Sequence, residues 1–168
     1  MDLTLIQDKD FEEKLNIQTK KISIIKEENS YQLRKKLKKE SIVLAGNDKL
    51  NRFITENKKV SMILSPEIKR KKDFMHSRDS GLNQVLCKLL AKNNISVGFS
   101  FSLILNSNNK ASLLGKMQQN VKLCRKYKVK MRIASFAQNK WEFRSEDSLI
   151  SFGKIIGMKP NEVEKALN

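Results

Sequence analysis

The stretch that decides the fold lies at residues 82–101 and is LNQVLCKLLAKNNISVGFSF. In its first part, apolar side chains recur at i, i+3, i+4, i+7 and i+8, which predicts a helix with one apolar face and with Asp79 or Ser80 available as its N-cap. In its last part, residues 95–101, bulky side chains alternate with serine and glycine, which is typical of a strand. The local unit is therefore a helix followed by a buried strand.

The same unit recurs along the chain. Apolar and β-branched runs predict strands at 1–6, 22–25, 41–45, 60–64, 95–101 and 129–134, and helical spacing predicts helices at 10–15, 31–38, 48–56, 82–93 and 111–126. Pro160 suits the first position of a short final helix. This alternation predicts an α/β fold with a mostly parallel sheet and outer helices, as an open sheet or a closed barrel. No Gly/Pro/Ser-rich linker divides the 168 residues, so one domain, 1–168, is expected.

Positive charge is concentrated in the middle of the chain. Residues 61–130 contain 14 Lys/Arg and three acids, and the whole chain has a net charge of +16. A basic excess within a folded segment favours contact with a polyanion, because each cation near a phosphate releases condensed counterions. Nucleic acid is thus the first partner to consider, and a merely solvated basic face is the alternative.

Several classes of protein are disfavoured by composition. No apolar run is long enough to cross a membrane, and the first residues do not resemble a signal peptide, so we expect a soluble, cytoplasmic protein without membrane contact. Cys87 and Cys124 fall in helical patterns and are expected to be buried free thiols. His76 is the single histidine, which excludes a multi-histidine metal centre and predicts no cofactor bound by the protein.

Five segments resemble one known family. They match archaeal ribonuclease P protein component 3, the homologue of the human 30-kilodalton ribonuclease P subunit, in order and with nearly constant spacing over roughly residues 60–158. The matching segments are 81–89, 98–100, 126–129, 135–141 with Arg144, and 149–158.

The resemblance implies both a fold and a role. The fold would be a TIM-barrel-like domain, similar to the barrel of metal-dependent phosphoesterases of the histidinol-phosphatase type, but without their clustered His and Asp ligands. The role would be that of a subunit without activity of its own. It would support the ribonuclease P RNA, which uses Mg²⁺ to remove the 5′ leader from precursor tRNA, together with a small ferredoxin-like protein subunit.

The chain also departs from the family pattern. Gln84 replaces a common histidine, Ser102 replaces a frequent arginine, and the first 59 residues match only loosely. We count six strands, whereas a complete barrel has eight strands and about 250 residues. The barrel is therefore expected to be shortened at its N-terminal side. It is either open, with strand edges that a partner or second copy would cover, or closed by fewer strands.

Basic residues are the candidate contacts to RNA. The long loop after the fourth strand carries a run of four cations, and loops of this length are often functional. A second cluster lies where a helix turns into the last strand. Arg144 and Ser135 are placed at one end of the barrel, and a guanidinium can hold phosphate with two hydrogen bonds. The predicted RNA-binding residues are Lys69, Arg70, Lys71, Lys72, Arg78, Lys88, Lys110, Arg125, Lys128, Ser135 and Arg144.

Two other functions compete with this interpretation. A phosphate-handling hydrolase could use Ser65, Ser100 and Ser135 at the carboxyl ends of the strands, but the sequence supplies no base or metal ligand beside them. Small residues there suit tight packing equally well. A scaffold whose basic surface meets an acidic protein is the third possibility.

Overall fold

The computed structural model describes residues 1–68, 73, 75, 76 and 78–168. Its strands are β1 (Asp2–Thr4), β2 (Thr19–Lys21), β3 (Ile24–Ile25), β4 (Ser41–Leu44), β5 (Val60–Leu64), β6 (Ser96–Ser100) and β7 (Met131–Ala134). Its helices are α1 (Lys9–Leu15), α2 (Ser30–Lys36), α3 (Asp48–Glu56), α4 (Gln84–Lys92), α5 (Phe101–Leu105), α6 (Lys110–Tyr127), α7 (Glu146–Ile155) and α8 (Pro160–Leu167), with a 3-10 turn at Lys140–Glu142.

The strands are parallel and are connected in a ring. Strands β3 to β7 form one sheet in chain order, and β1 pairs with β2. Because β2 and β3 lie on one stretch, residues 19–25, this stretch joins the two sheets. On the other side, Phe136 N donates to Leu3 O and Leu5 N donates to Ala137 O, both at 2.9 Å. The expected TIM-barrel-like fold is thus shortened to six chain segments, and hydrogen bonds rather than exposed edges connect β7 with β1.

A small apolar cluster fills the interior of the ring. Gly98 of β6 faces this cluster, because a Cβ atom there would lie 2.7 Å from Met62 Sδ and 2.9 Å from Leu64 Cδ1. Gly98 therefore serves tight packing of the ring interior. The cluster is formed by Leu3, Met62, Leu64, Ala134 and Phe136, with Leu5, Ile22, Ile24, Ile42 and Leu44 against it.

A larger core lies between the ring and the surrounding helices. Val97, Phe99 and Ile133 point outward from β6 and β7 into it. Cys87 of α4 and Cys124 of α6 are buried there as free thiols, as predicted. Burial raises the pKa of Cys87 to about 11, so this thiol is protonated and unreactive at neutral pH.

Some element boundaries differ from the sequence prediction. Helix α4 begins at Gln84, and Asn83 Oδ1 accepts the cap hydrogen bond from Leu86 N at 2.9 Å, so the expected cap at Asp79 or Ser80 is wrong. Of the predicted strand 22–25, only β3 (Ile24–Ile25) is found, and β2 (Thr19–Lys21) was not predicted. Helix α5 was not predicted, because five residues are too few to show a helical period.

The last two helices begin at residues that favour a helix start. Ser145 caps α7 through its hydroxyl, which accepts a hydrogen bond from Ser148 N at 3.4 Å. Pro160 opens α8. Among the described helices, none is long and apolar enough to cross a membrane.

Candidate nucleic-acid interface

A cluster of serines lies at the carboxyl ends of the strands, where barrel enzymes place their active sites. Ser135 follows β7 and is fully buried. Its carbonyl oxygen accepts hydrogen bonds from Ser102 Oγ at 2.7 Å and Ser100 Oγ at 3.3 Å, and its own Oγ accepts one from Ala137 N at 3.2 Å. These hydroxyls hold the strand ends together. The geometry corrects the expectation that Ser135 contacts RNA, because no part of its side chain reaches the surface.

Asp2 contributes a buried carboxylate to the same junction. Its Oδ1 accepts a hydrogen bond from Ser135 N at 2.7 Å, whereas its Oδ2 has no hydrogen-bond partner within the described residues. Burial raises the pKa of Asp2. The side chain therefore joins the first and last strands of the ring, and no sequence signal distinguishes it from a surface aspartate.

A cavity of about 150 Å³ remains at the carboxyl end of the ring, with Lys26, Ser65 and Gln138 among its lining residues. Beside it, the Glu142 carboxylate accepts hydrogen bonds from Asn106 Nδ2 at 2.9 Å and Gln138 N at 2.7 Å. Burial opposes the charge of Glu142, but these hydrogen bonds outweigh it and lower its pKa. In the described part of the chain, no group of three His, Cys, Asp or Glu could hold a metal ion.

The long loop after β5 is anchored on helix α6 at both of its ends. Asn120 Nδ2 donates to Glu67 Oε2 at 3.1 Å and to Ser80 O at 2.9 Å. Glu67 is almost completely buried, and this burial raises its pKa to about 7. The sequence did not single out Glu67, because one acid in a basic loop carries no distinguishing pattern.

The predicted RNA contacts of this loop divide into two groups. Lys69, Arg70, Lys71 and Lys72 lie outside the described residues, so their role stays a prediction. Arg78 is exposed, but its guanidinium rests on Gly115 of α6 so closely that a Cβ atom would overlap it. Gln119 Nε2 also donates to Arg78 O at 3.0 Å. Arg78 therefore fixes the loop to α6 and still offers part of its charge to solvent.

Two predicted arginines are engaged within the protein. Arg144 Nη1 donates to Trp141 O at 3.0 Å and to Phe143 O at 2.6 Å, and the guanidinium carbon lies 4.9 Å from the Phe101 ring centre. Arg125 makes hydrogen bonds of 2.7 and 2.6 Å to the carboxylate of Glu162. Arg125 therefore has little remaining capacity for a phosphate.

The aromatic residues beside Arg144 differ in exposure. Phe143 is buried and anchors the loop, whereas Trp141 is 71% exposed. The Trp141 ring lies edge-on against Phe11, with 5.5 Å between ring centres.

The remaining predicted contacts are exposed but far from one another in the fold. Lys88 lies on the outer face of α4, Lys110 begins α6 at the carboxyl end of the ring, and Lys128 ends α6 at the amino end. Among the described residues, the structure thus does not unite the predicted contacts into one site.

A comparison with known protein families identifies the family of this chain. The model of the family described as RNase P subunit p30 matches residues 12–168. The chain belongs to this family. The match includes much of the N-terminal part, where the sequence resemblance was loose, and it confirms the family recognised from residues 60–158.

Relatives within the p30 family are clearly similar. Ribonuclease P protein component 3 of Thermococcus kodakarensis is 34% identical over 89% of this chain and 64% of that protein. The same component of Methanosarcina mazei is 30% identical over 76% of this chain and 51% of that protein. The chain therefore spans between half and two thirds of the length of these relatives.

A solved structure shares the fold of this p30 family member. A chain in a cryo-EM structure of archaeal ribonuclease P with mature tRNA matches with a TM-score of 0.76 and 25% identity, over 98% of this chain and 75% of that chain. The fold of this chain is thus also found in a chain of an archaeal ribonuclease P structure.

Proposed function

We propose that this chain is a protein subunit of ribonuclease P that binds the catalytic RNA and supports removal of the 5′ leader from precursor tRNA. The observation that carries the proposal is the family match over residues 12–168, together with a fold match to a chain within an archaeal ribonuclease P structure. The net charge of +16 supports an RNA partner.

The chemistry of the reaction would come from the RNA. At the carboxyl end of the ring, the serine hydroxyls are engaged in hydrogen bonds to the backbone, and the Glu142 carboxylate is held charged by its neighbours. A general base needs a free proton-accepting group beside the substrate, and neither feature supplies one. We therefore assign Mg²⁺ to the RNA, and the protein would position the RNA and neutralise its charge.

The partners follow from this role. The ribonuclease P RNA is the direct partner, precursor tRNA is met within the complex, and a small ferredoxin-like protein subunit is the expected protein partner. A cytoplasmic location follows from the proposed substrate, because an enzyme must reach precursor tRNA where it is made.

Reconstitution tests the proposal. A labelled precursor tRNA is incubated with ribonuclease P RNA and the remaining archaeal subunits, with or without this protein, over a range of Mg²⁺ concentrations. We expect the protein to increase cleavage most at low Mg²⁺, where protein cations matter most for RNA folding. Cleavage by the purified protein without RNA, or no effect of the protein at any Mg²⁺ concentration, would contradict the proposal.

A further inference from the structure

The turns that lead into the strands carry a repeated pattern of lysine. In a parallel ring, all these turns lie at the same end, which we call the amino-end face. Each member of this group is exposed and is either the last residue of a helix or part of the turn between a helix and the next strand. The lysines are Lys38 and Lys39 before β4, Lys58 and Lys59 before β5, Lys92 at the end of α4, and Lys128 and Lys130 before β7.

These turns are tied to one another by hydrogen bonds. Ser41 N donates to Lys59 O at 2.9 Å, which joins the turns before β4 and β5. Val97 N donates to Lys130 O at 2.9 Å, which joins the start of β6 to the turn before β7. Asn93 Nδ2 donates to Thr55 O at 2.7 Å and connects the ends of α4 and α3. The lysines therefore stand on a rigid base, and little backbone entropy would be lost on binding.

Two basic clefts open on this face. The first, which we call the α6–α8 cleft, has a volume of about 560 Å³, and its lining includes Lys128, Lys130, Arg132 and Lys165. Its acid, Glu162, is already neutralised by Arg125. The second cleft has a volume of about 570 Å³, and five lysines line it, at positions 20, 21, 36, 38 and 39.

The lysines of the α6–α8 cleft are available to bind an anion. Within the described residues, Lys128, Lys130 and Lys165 form no ion pair with a carboxylate. The carboxyl end of the ring differs, because cations such as Arg144 are interspersed there with Glu142, Glu146 and other acids. The unpaired lysines of the amino-end face therefore attract a polyanion.

Among the described residues, the exposed aromatic side chains lie away from the amino-end face, and this bears on which part of an RNA is bound. The exposed aromatic side chains of the described residues are Tyr31 and Trp141. Both follow the carboxyl ends of strands, Tyr31 after β3 and Trp141 after β7. Recognition of unpaired bases uses aromatic stacking, whereas recognition of an RNA helix uses phosphate and sugar contacts.

We propose that the amino-end face, centred on the α6–α8 cleft, binds the phosphate backbone of a helical segment of RNA. This inference rests on the proposed function and adds the location and type of contact. The protein thus uses the end of its barrel opposite to the one where barrel enzymes bind substrate.

A charge-matched pair of variants tests the location. The amino-end variant carries Lys128→Gln, Lys130→Gln and Lys165→Gln. The control carries Lys9→Gln, Lys26→Gln and Lys140→Gln, three exposed lysines at the carboxyl end, so both variants lose the same charge. Binding to a transcribed ribonuclease P RNA is measured at several salt concentrations, after thermal unfolding has shown that both variants are folded.

We expect the amino-end variant to bind roughly tenfold more weakly or worse, with a slope of log K against log salt that is smaller by about three, one for each lost phosphate contact. The control should keep nearly the slope of the unchanged protein. An unchanged slope for the amino-end variant, or an equal loss in the control, overturns the inference. Failure of the unchanged protein to bind RNA in a salt-dependent manner would instead overturn the proposed function.

A separate binding experiment tests whether the protein contacts the backbone of helical RNA. Two RNA duplexes of equal length and unrelated sequence should bind with similar affinity and equal salt slopes, because backbone contacts do not read sequence. A single-stranded RNA of the same length that binds more tightly than both duplexes would contradict the assignment to helical RNA.

Discussion

Arg125 and Glu162 form a bidentate ion pair, with 2.7 Å from Nε to Oε1 and 2.6 Å from Nη2 to Oε2. The pair joins the last turn of α6 to the first turn of α8. Arg125 Nη2 also donates to Gly157 O at 2.7 Å, in the turn before α8. An arginine that the sequence predicts as an RNA contact is therefore a structural link between two helices.

Replacement of Arg125 should affect stability more than RNA binding. Arg125→Ala removes charge-assisted hydrogen bonds, and we expect the free energy of unfolding to fall by about 1 to 2 kcal/mol, since the pair is partly solvated. Arg125→Lys should recover only part of this loss, because an ammonium cannot bind both oxygens in the same geometry. Chemical denaturation measures both values.

The RNA-binding readout of these variants distinguishes the two roles. At a salt concentration where all proteins are folded, we measure RNA binding by the double variant Arg125→Ala, Glu162→Gln, which leaves no unpaired acid in the α6–α8 cleft. Its salt slope should stay close to that of the unchanged protein. A decrease of about one in the salt slope, without loss of stability, would show that Arg125 contacts the RNA.

The buried Glu67 predicts an unusual pH dependence of stability. Its pKa rises from 4.5 in the unfolded chain to about 7 in the folded protein, because burial disfavours the charged form. The folded state therefore binds more protons between these values, so the contribution of Glu67 to stability is complete below pH 4.5 and is lost as the pH rises through 7. The size of the loss is on the order of 3 kcal/mol.

Glu67→Gln should remove this loss, because the amide stays neutral at all pH values. The difference in unfolding free energy between the variant and the unchanged protein should grow in favour of the variant from pH 5 to pH 8. Glu13→Gln on the exposed side of α1 is the control. If the difference stays constant over this pH range, Glu67 does not titrate there.

The sequence predicted the elements of the fold better than their connections. The strand at 60–64 and the helix at 48–56 are found with the predicted bounds, because their apolar periods are long and end at polar residues. Closure of the ring depends on contacts such as Asp2 with Ser135, which are 133 residues apart. Local periodicity contains no information about such a contact.

The candidate site was also only partly predictable from the sequence. Charge counting suggests a polyanion partner, but it gives most weight to dense runs such as 69–72 and overlooks lysines in separate turns, among them Lys39 and Lys59. Only the parallel arrangement of the strands brings these turns to one face. The signal available in the sequence was the recurrence of lysine just before predicted strands.

Closure of the ring can be tested at Asp2. Asp2→Ala removes the acceptor for the buried Ser135 N–H, and we expect a loss of about 1 to 3 kcal/mol in the free energy of unfolding. Asp2→Asn keeps an oxygen acceptor and removes a buried charge, so its loss should be smaller. Denaturation of both variants gives the comparison.

Hydrogen exchange provides a direct measure of the same closure. The amides of Leu5 and Phe136 donate to backbone oxygens across the junction of β1 and β7, so they should exchange slowly in the unchanged protein and faster in Asp2→Ala. Rapid exchange of both amides in the unchanged protein would show that the barrel is open at this point.

Gly98 tests the packing of the ring interior. A methyl group in Gly98→Ala would lie 2.7 Å from Met62 Sδ and 2.9 Å from Leu64 Cδ1, so we expect a loss of roughly 1 to 3 kcal/mol from overpacking. Met62→Ala removes the nearer contact. The double variant should therefore be more stable than the sum of the two single losses predicts, and strict additivity would contradict a close contact between these residues.

The last prediction concerns Mg²⁺ and separates charge neutralisation from catalysis. In a reconstituted ribonuclease P reaction, the Lys128→Gln, Lys130→Gln and Lys165→Gln variant should reduce precursor tRNA cleavage at low Mg²⁺ and approach the unchanged protein at high Mg²⁺, because divalent ions screen the same phosphates. His76→Ala should leave cleavage unchanged at every Mg²⁺ concentration, since this exposed side chain lies in the loop after β5 and outside the amino-end face. Cleavage rates at five or more Mg²⁺ concentrations give the comparison. A loss that persists at high Mg²⁺ in the triple variant, or any strong loss in His76→Ala, would show that the protein contributes more than positive charge to the reaction.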